Sequence, residues 1–258
     1  MTGRAEILGC QIDRLSMAET LAAVERIIAS GRYTQHMAIN AAKLVAMQDD
    51  PKLCEIIDGC GLVNADGQSV VWASRLLGDP LPERVAGIDL MYALLDLADR
   101  RGYRVYFLGA RAEVLERALE RLRESYPGLK VAGARDGYFT DDEATEVCDV
   151  IRASHADVLF VAMSSPRKEY FLGEYGSDLG APFVMGVGGS VDVIAGVTRR
   201  APAVWQRLGL EWLFRLLQEP RRMVRRYAVT NTRFIALVGL RLLSGHASQP
   251  NRAQGELT

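Results

Sequence analysis

Histidine is scarce in this chain, and cysteine is never paired. His36, His155 and His246 are scattered, and Cys10, Cys54, Cys60 and Cys148 form no CxxC. No metal cluster is expected from such a set, and the thiols read as buried and free in a reducing compartment. No apolar run follows a basic start at the N-terminus, so no export signal is read. The most apolar stretch, residues 234–240 between Arg233 and Arg241, falls far short of the roughly 20 residues needed to span a bilayer. Neither GxGxxG nor GxxxxGK[ST] occurs, and no acid sits where a dinucleotide ribose would need one. No Ser-His-Asp or Cys-His arrangement is in view, nor a paired-carboxylate pattern. Asp89, Asp141, Asp142 and Glu143 read as helix-start acids.

Lysine is also missing where charge is densest. Between positions 199 and 241 there are ten arginines, no lysine and two acids, Glu211 and Glu219. Residues 1–198 hold 20 basic and 29 acidic residues, so an acidic body carries a basic C-terminal part although the net charge is only -1. That split points to an anionic partner: a phosphate-bearing ligand, a membrane surface or nucleic acid. Few aromatics interleave with lysines in the body, so no nucleic-acid partner is expected.

Along the chain, apolar runs alternate with helical patterns. Strands are expected at 7–10, 35–40, 62–65, 104–108, 129–132, 157–162 and 182–185. Helices are expected after the capping-box spacings Ser16/Glu19 and Thr140/Glu143, from Pro51 to about 58, over 69–77, and up to Arg101 with Gly102 as its C-cap. The run Asp157-Val158-Leu159-Phe160-Val161-Ala162 is almost wholly apolar, as a strand covered on both faces requires. The fold class that follows is α/β, a Rossmann-like mostly parallel sheet flanked by helices. Residues 1–198 form the catalytic core in this reading. Residues 199–245 form a basic helical appendage with helices over 203–217 and 221–243, divided at Pro220, and 246–258 form a disordered tail. The appendage suits an amphipathic helix lying in a membrane interface; an apolar stripe packed on the body or on a second subunit is the alternative, so a homo-oligomer is allowed.

Three features could carry chemistry. Leu62-Val63-Asn64-Ala65-Asp66-Gly67-Gln68 sets a carboxylate where an apolar run meets a helical pattern, which suits a positioned general base and equally suits an Asp helix cap. Gly186-Val187-Gly188-Gly189-Ser190 follows a strand and resembles a phosphate cradle or a plain tight turn; Gly109 is a weaker signal of the same kind. Arg215, Arg222 and Arg225 fall on one helical face if the helix continues past Pro220, where guanidinium forks would match a diphosphate.

Several pieces then occur in order: Asn40; Asp66-Gly67; Glu83-Arg84-Val85-x-Gly87-x-Asp89; Phe107-Leu108-Gly109; Gly137-Tyr138-Phe139; Pro166-x-x-Glu169; Val187-Gly188-Gly189; Arg200-Ala201-Pro202; Glu211-Trp212-Leu213-x-Arg215; and Glu219-Pro220-x-Arg222. Over about residues 5 to 230 the chain resembles the WecG/TagA/CpsF family of bacterial glycosyltransferases. The resemblance implies transfer of a sugar from a UDP-sugar to a sugar on an undecaprenyl-diphosphate carrier, in surface polysaccharide or teichoic acid synthesis. It implies inverting chemistry without a catalytic metal or cofactor, in the cytoplasm and peripherally on the inner face of the plasma membrane. It gives Asp66 the role of base and Arg215, Arg222 and Arg225 that of holding the diphosphate. Asn40, Arg84, Gly109, Lys168, Glu169, Gly188 and Gly189 become substrate-binding positions. Two departures stand out: Ala38 where members often carry Thr, and Lys168 where they carry Gln. Lys168 is read as a partner for a carboxylate on an acidic donor sugar. The rivals are a nucleotide-cofactor enzyme on a similar sheet and a non-catalytic membrane-surface module.

Overall fold

Six parallel strands form the centre of the molecule, in the order β4-β3-β8-β7-β5-β6. The computed structural model describes residues 3–207, 209, 211–218 and 220–247. The strands are β3 (Thr34–Ile39), β4 (Leu62–Ala65), β5 (Arg104–Gly109), β6 (Lys130–Arg135), β7 (Val158–Ala162) and β8 (Phe183–Gly186). A separate antiparallel hairpin, β1 (Arg4–Ile7) and β2 (Cys10–Asp13), precedes them. The single strand expected across 7–10 is therefore corrected: Leu8 and Gly9, at φ 52 and 85, make the hairpin turn. The hairpin covers the β4 edge, where the Asp13 carboxylate accepts the Val63 N–H at 2.8 Å. An exposed strand edge is thereby blunted.

Helices cover both faces. On one lie α1 (Met17–Ser30), α5 (Gly87–Arg101), α6 (Ala112–Ser125) and α9 (Ser190–Ile194), packed on Phe107, Phe160, Phe183 and Met185. On the other lie α2 (Ala41–Met47), α3 (Pro51–Asp58) and α4 (Gln68–Leu76) over Met37, Ile39, Val63 and Ala65. Beside them α7 (Ala144–Ala153) and α8 (Arg167–Tyr175) cover Leu108, Leu159, Val161 and Val184. With helices on both sides, β7 has no polar face to offer water, which is why its sequence is a continuous apolar run.

Local chemistry fixes the helix ends as the spacing predicts. Ser16 and Glu19 form a full capping box at α1, and Gly102 closes α5 in the left-handed region at φ 72. Thr140 and Glu143 form the second box, but over a 3₁₀ turn, Asp141–Glu143, that leads into α7.

The appendage continues as α10 (Ala203–Arg207), α11 (Glu211–Gln218) and α12 (Pro220–Ala247). Phe234 and Val238 of α12 are buried in the same apolar cluster as α2, with Leu237 and Leu242 packed beside them. Arg233 grips Asp49 at 2.7 and 3.0 Å, and Arg241 reaches Glu6 at 3.3 Å. No helix among the described residues is long and apolar enough to cross a membrane. The tail expected to be disordered lies, from residue 248 onward, outside the described residues.

Candidate active site

The connections out of β3 and β8 leave on opposite faces of the sheet, into α2 and α9. In open α/β sheets a crevice forms outside the carboxyl ends of such neighbouring strands, and ligands bind there. Asn40, Asp66 and Gly188 follow the carboxyl ends of β3, β4 and β8.

Asp66 is half-buried. Its backbone N–H donates to the Ile39 carbonyl at 2.8 Å, prolonging the β3–β4 ladder by one residue. The side chain does not cap α4, the helix it precedes; that N-cap is Gly67 and has no side-chain bond. Instead Oδ1 accepts the Gly87 N–H at 2.8 Å, at the start of α5. The positive end of a 15-residue helix thus faces the carboxylate. Among the described residues Oδ2 has no hydrogen-bond partner. One oxygen is held and the other is free to take a proton, the arrangement a positioned base needs.

Asn40 stands beside it: a Cβ on Gly67 would come 3.5 Å from the Asn40 Cα and Cβ. Asn40 N-caps α2, its Oδ1 accepting the Lys43 N–H at 3.1 Å. The amide Nδ2 is that side chain's remaining donor.

Behind these two lies a charged group in which Lys43, a residue that sequence reading missed, joins Lys168 and Glu169. The Glu169 side chain is fully buried, and its Oε1 accepts from both the Lys43 ammonium at 2.9 Å and the Lys168 ammonium at 2.6 Å. Lys43 also touches the Met37 sulfur at 3.0 Å. Burial pushes the Glu169 carboxyl up, but the two ammoniums outweigh it and bring it down to about 2. Burial and the Lys43 charge push Lys168 down, against the pull of Glu169 and of Asp66. Lys43, Lys168 and Glu169 thus form one buried charged cluster, and Asp66 is among the charges that act on Lys168. In this structure the Lys168 ammonium meets the Glu169 carboxylate. Its stem crosses Gly186, where a Cβ would come 2.3 Å from the Lys168 Cε.

Arg84 precedes, by three residues, the Gly87 whose N–H holds Asp66. The Val85 N–H donates to the Ala65 carbonyl at 2.9 Å, so residues 84–87 run along the end of β4. The Arg84 guanidinium is engaged by Glu211 of α11 at 3.0 and 3.3 Å, and Asp89 is 3.9 Å away.

The glycines separate. Gly188, at φ 50, has open space where a Cβ would be, and a Cβ on Gly189 would make only ordinary contact with Asp192, so both leave room for a ligand. Gly109 does not: at φ 120 a Cβ would come 2.5 Å from the Ala162 carbonyl, and packing of β5 on β7 accounts for it. The side chains of Arg215, Arg222 and Arg225 lie outside the described residues.

The model of the glycosyl transferase WecG/TagA/CpsF family matches residues 5–248. The chain belongs to that family. It is similar to an N-acetylglucosaminyldiphosphoundecaprenol N-acetyl-beta-D-mannosaminyltransferase of Bacillus spizizenii, with 40% identity over 184 residues, covering 71% of this chain and 70% of the relative.

As a glycosyltransferase of the WecG/TagA/CpsF family, the protein is neither a nucleotide-cofactor oxidoreductase or methyltransferase nor a non-catalytic module. The carboxyl end of the sheet brings Asn40 and Asp66 together, with the buried Lys168 and Glu169 behind them. The α12 helix carries two apolar faces. Phe234 and Val238 turn inward, while Ile235, Leu240 and Leu243 are 69%, 62% and 73% exposed. The inward side matches the reading of an apolar stripe packed on the body.

Proposed function

We propose that this glycosyltransferase moves a sugar from a UDP-sugar onto a sugar carried by undecaprenyl diphosphate, with inversion and with Asp66 as general base. The observation that carries the reading is the Asp66 carboxylate, fixed through one oxygen by the Gly87 amide, with no partner for the other among the described residues, at the carboxyl end of β4 beside Asn40. In the step proposed, Oδ2 takes the proton of the acceptor hydroxyl as that oxygen forms its bond to the donor's anomeric carbon. The bond from that carbon to the UDP oxygen breaks on the opposite face, and UDP leaves with the electron pair. Asn40 Nδ2 donates to a substrate oxygen, and the open turn at Gly188 and Gly189 lets backbone N–H groups approach the nucleotide. Arg215, Arg222 and Arg225, with Arg84, are proposed to stabilise charge growing on the diphosphate.

The name of the Bacillus relative supplies the first substrates to try: an N-acetylmannosamine donor and an N-acetylglucosaminyl-diphosphoundecaprenol acceptor. Peripheral binding at the cytoplasmic membrane surface is proposed on two observations. Ile235, Leu240 and Leu243 of α12 are exposed apolar residues, and four arginines, Arg221, Arg222, Arg225 and Arg226, crowd the start of the same helix in the sequence. The division into a core of 1–198 and a membrane-associating appendage of 199–245 is part of this proposal.

A panel of radiolabelled UDP-sugars with a synthetic lipid-diphosphate acceptor, run with wild type and Asp66→Asn, tests it. Transfer by wild type and a loss of kcat by a factor of about 10² to 10⁴ in the variant are expected. Transfer that survives in Asp66→Asn at the wild-type rate would remove the base from that residue.

A further inference from the structure

Arg84 and Glu211 are 127 residues apart and form a two-pronged pair, Nη1 to Oε2 at 3.0 Å and Nη2 to Oε1 at 3.3 Å. The pair is partly buried, with 15% and 28% of the two side chains exposed. It does not stand alone. Asp89, in the first turn of α5, lies 3.9 Å from Arg84 and also receives Arg200 of the linker. Arg200 in turn lies over the Tyr92 ring, 5.9 Å from its centre. Acid and base thus alternate as Glu211, Arg84, Asp89 and Arg200. The two outer members come from the C-terminal part, and the two inner ones flank Gly87, whose N–H holds Asp66.

We propose that Glu211 is a positioning residue for transfer: it fixes the Arg84 guanidinium on the segment that leads to Gly87 and ties the start of α11 to that segment. A guanidinium gripped by two parallel hydrogen bonds has its plane set, where a free arginine samples many rotamers. Its remaining N–H groups then keep a constant direction, which is what recognition of a phosphate oxygen requires. The same bond sets where α11 begins, so the start of that helix is held by the segment that also holds Asp66. This inference rests on the proposed function, because it gives Arg84 a substrate group to meet.

An alternative geometry of cause is that Glu211 competes with the substrate diphosphate for Arg84. The two differ in sign. If Glu211 positions Arg84, neutralising it raises the donor KM; if it competes, neutralising it lowers that KM.

The experiment uses the full chain with saturating lipid-diphosphate acceptor in anionic vesicles. Donor KM and kcat are measured for wild type, Glu211→Gln, Glu211→Ala and Glu211→Asp, with vesicle co-sedimentation and thermal unfolding alongside. We expect Gln and Ala to raise the donor KM by about tenfold or more, the scale of a lost charge-assisted contact. The smaller change in kcat, partial recovery in Glu211→Asp and unchanged vesicle binding complete the expected result. A donor KM that stays the same or falls overturns the inference. So does a raised KM that comes only with lost vesicle binding and a lowered unfolding temperature, which marks a purely structural role. A wild type that transfers no sugar would sink the proposed function and this inference with it. An active wild type indifferent to Glu211 sinks the inference alone.

Discussion

Asp66 accepts the Gly87 amide at 2.8 Å, so the carboxylate is set by the helix that begins 21 residues later and not by the one that follows it directly. Asparagine keeps an oxygen for that same amide. Asp66→Asn should therefore retain its fold, with thermal unfolding close to wild type, while kcat falls by about 10²- to 10⁴-fold. A matching collapse of stability would mean that the residue serves α5 alone.

Glu169 carries two ammoniums on one oxygen, and its Oε2 is buried without a partner. Removing the shared anion strands two buried cations. Glu169→Leu should cost about 3 to 5 kcal/mol of stability by urea unfolding, the range for breaking a buried ion pair from one side. The acid limb has a defined sign. With the folded-state carboxyl brought down to about 2 from an ordinary 4.5, this contribution is fully present above pH 4.5 and is lost as pH falls through about 2. Urea midpoints followed between those limits measure it.

His36 supplies a second acid-sensitive element. It is buried; its Nε2 lies 3.1 Å from the Asn64 Oδ1, and the Asn64 amide donates to Thr20 at 3.1 Å. With that amide turned to Thr20, the Nε2 carries the proton and the ring is neutral. Burial lowers its pKa from 6.5 to about 4. The neutral ring's stability is fully present above pH 6.5, declines below that, and is gone by about pH 4, a loss of about 3 kcal/mol. His36→Gln should flatten the fall in the urea midpoint between pH 6.5 and 5. An unchanged slope would assign that fall to other groups.

The exposed apolar residues of α12 are separable from its buried ones. Changing Ile235, Leu240 and Leu243 together to serine should abolish co-sedimentation with anionic vesicles and leave the thermal unfolding profile in place. Phe234→Ala acts on the buried face and should expose α12 to protease. Vesicle binding that persists in the triple variant would place the membrane contact elsewhere.

Much of this fold is legible because its determinants are local. The Ser16/Glu19 box, the Pro51 start and the Gly102 stop are made by residues within four positions of one another, and each ends its helix as the spacing predicts. The β1–β2 hairpin escapes because its turn begins with Leu8, an apolar residue that continues the strand pattern while adopting φ 52. The candidate site is legible only in part. Asn40 and Asp66 follow strand ends that the apolar runs reveal. Lys43–Glu169 and Arg84–Glu211 close over 126 and 127 residues, and those pairs depend on β3 lying beside β8 and on α11 returning to the body. Lys43 has a signal in hindsight: it sits three residues after the Asn40 cap, on a seven-residue helix whose other buried positions are Leu44, Val45 and Met47. Gly109 misleads for the opposite reason. A glycine after a strand looks the same whether a ligand or a neighbouring carbonyl excludes its Cβ.

Helix α2 is two turns long, yet it is a shared abutment. Its leading residue is Asn40, its third carries the ammonium that meets Glu169, and its outer flank supports α12. A load applied along α12 therefore bears on the helix that has Asn40 at its cap and Lys43 in its first turn, so under the proposed function docking at a surface and alignment of the substrates would share one mechanical footing.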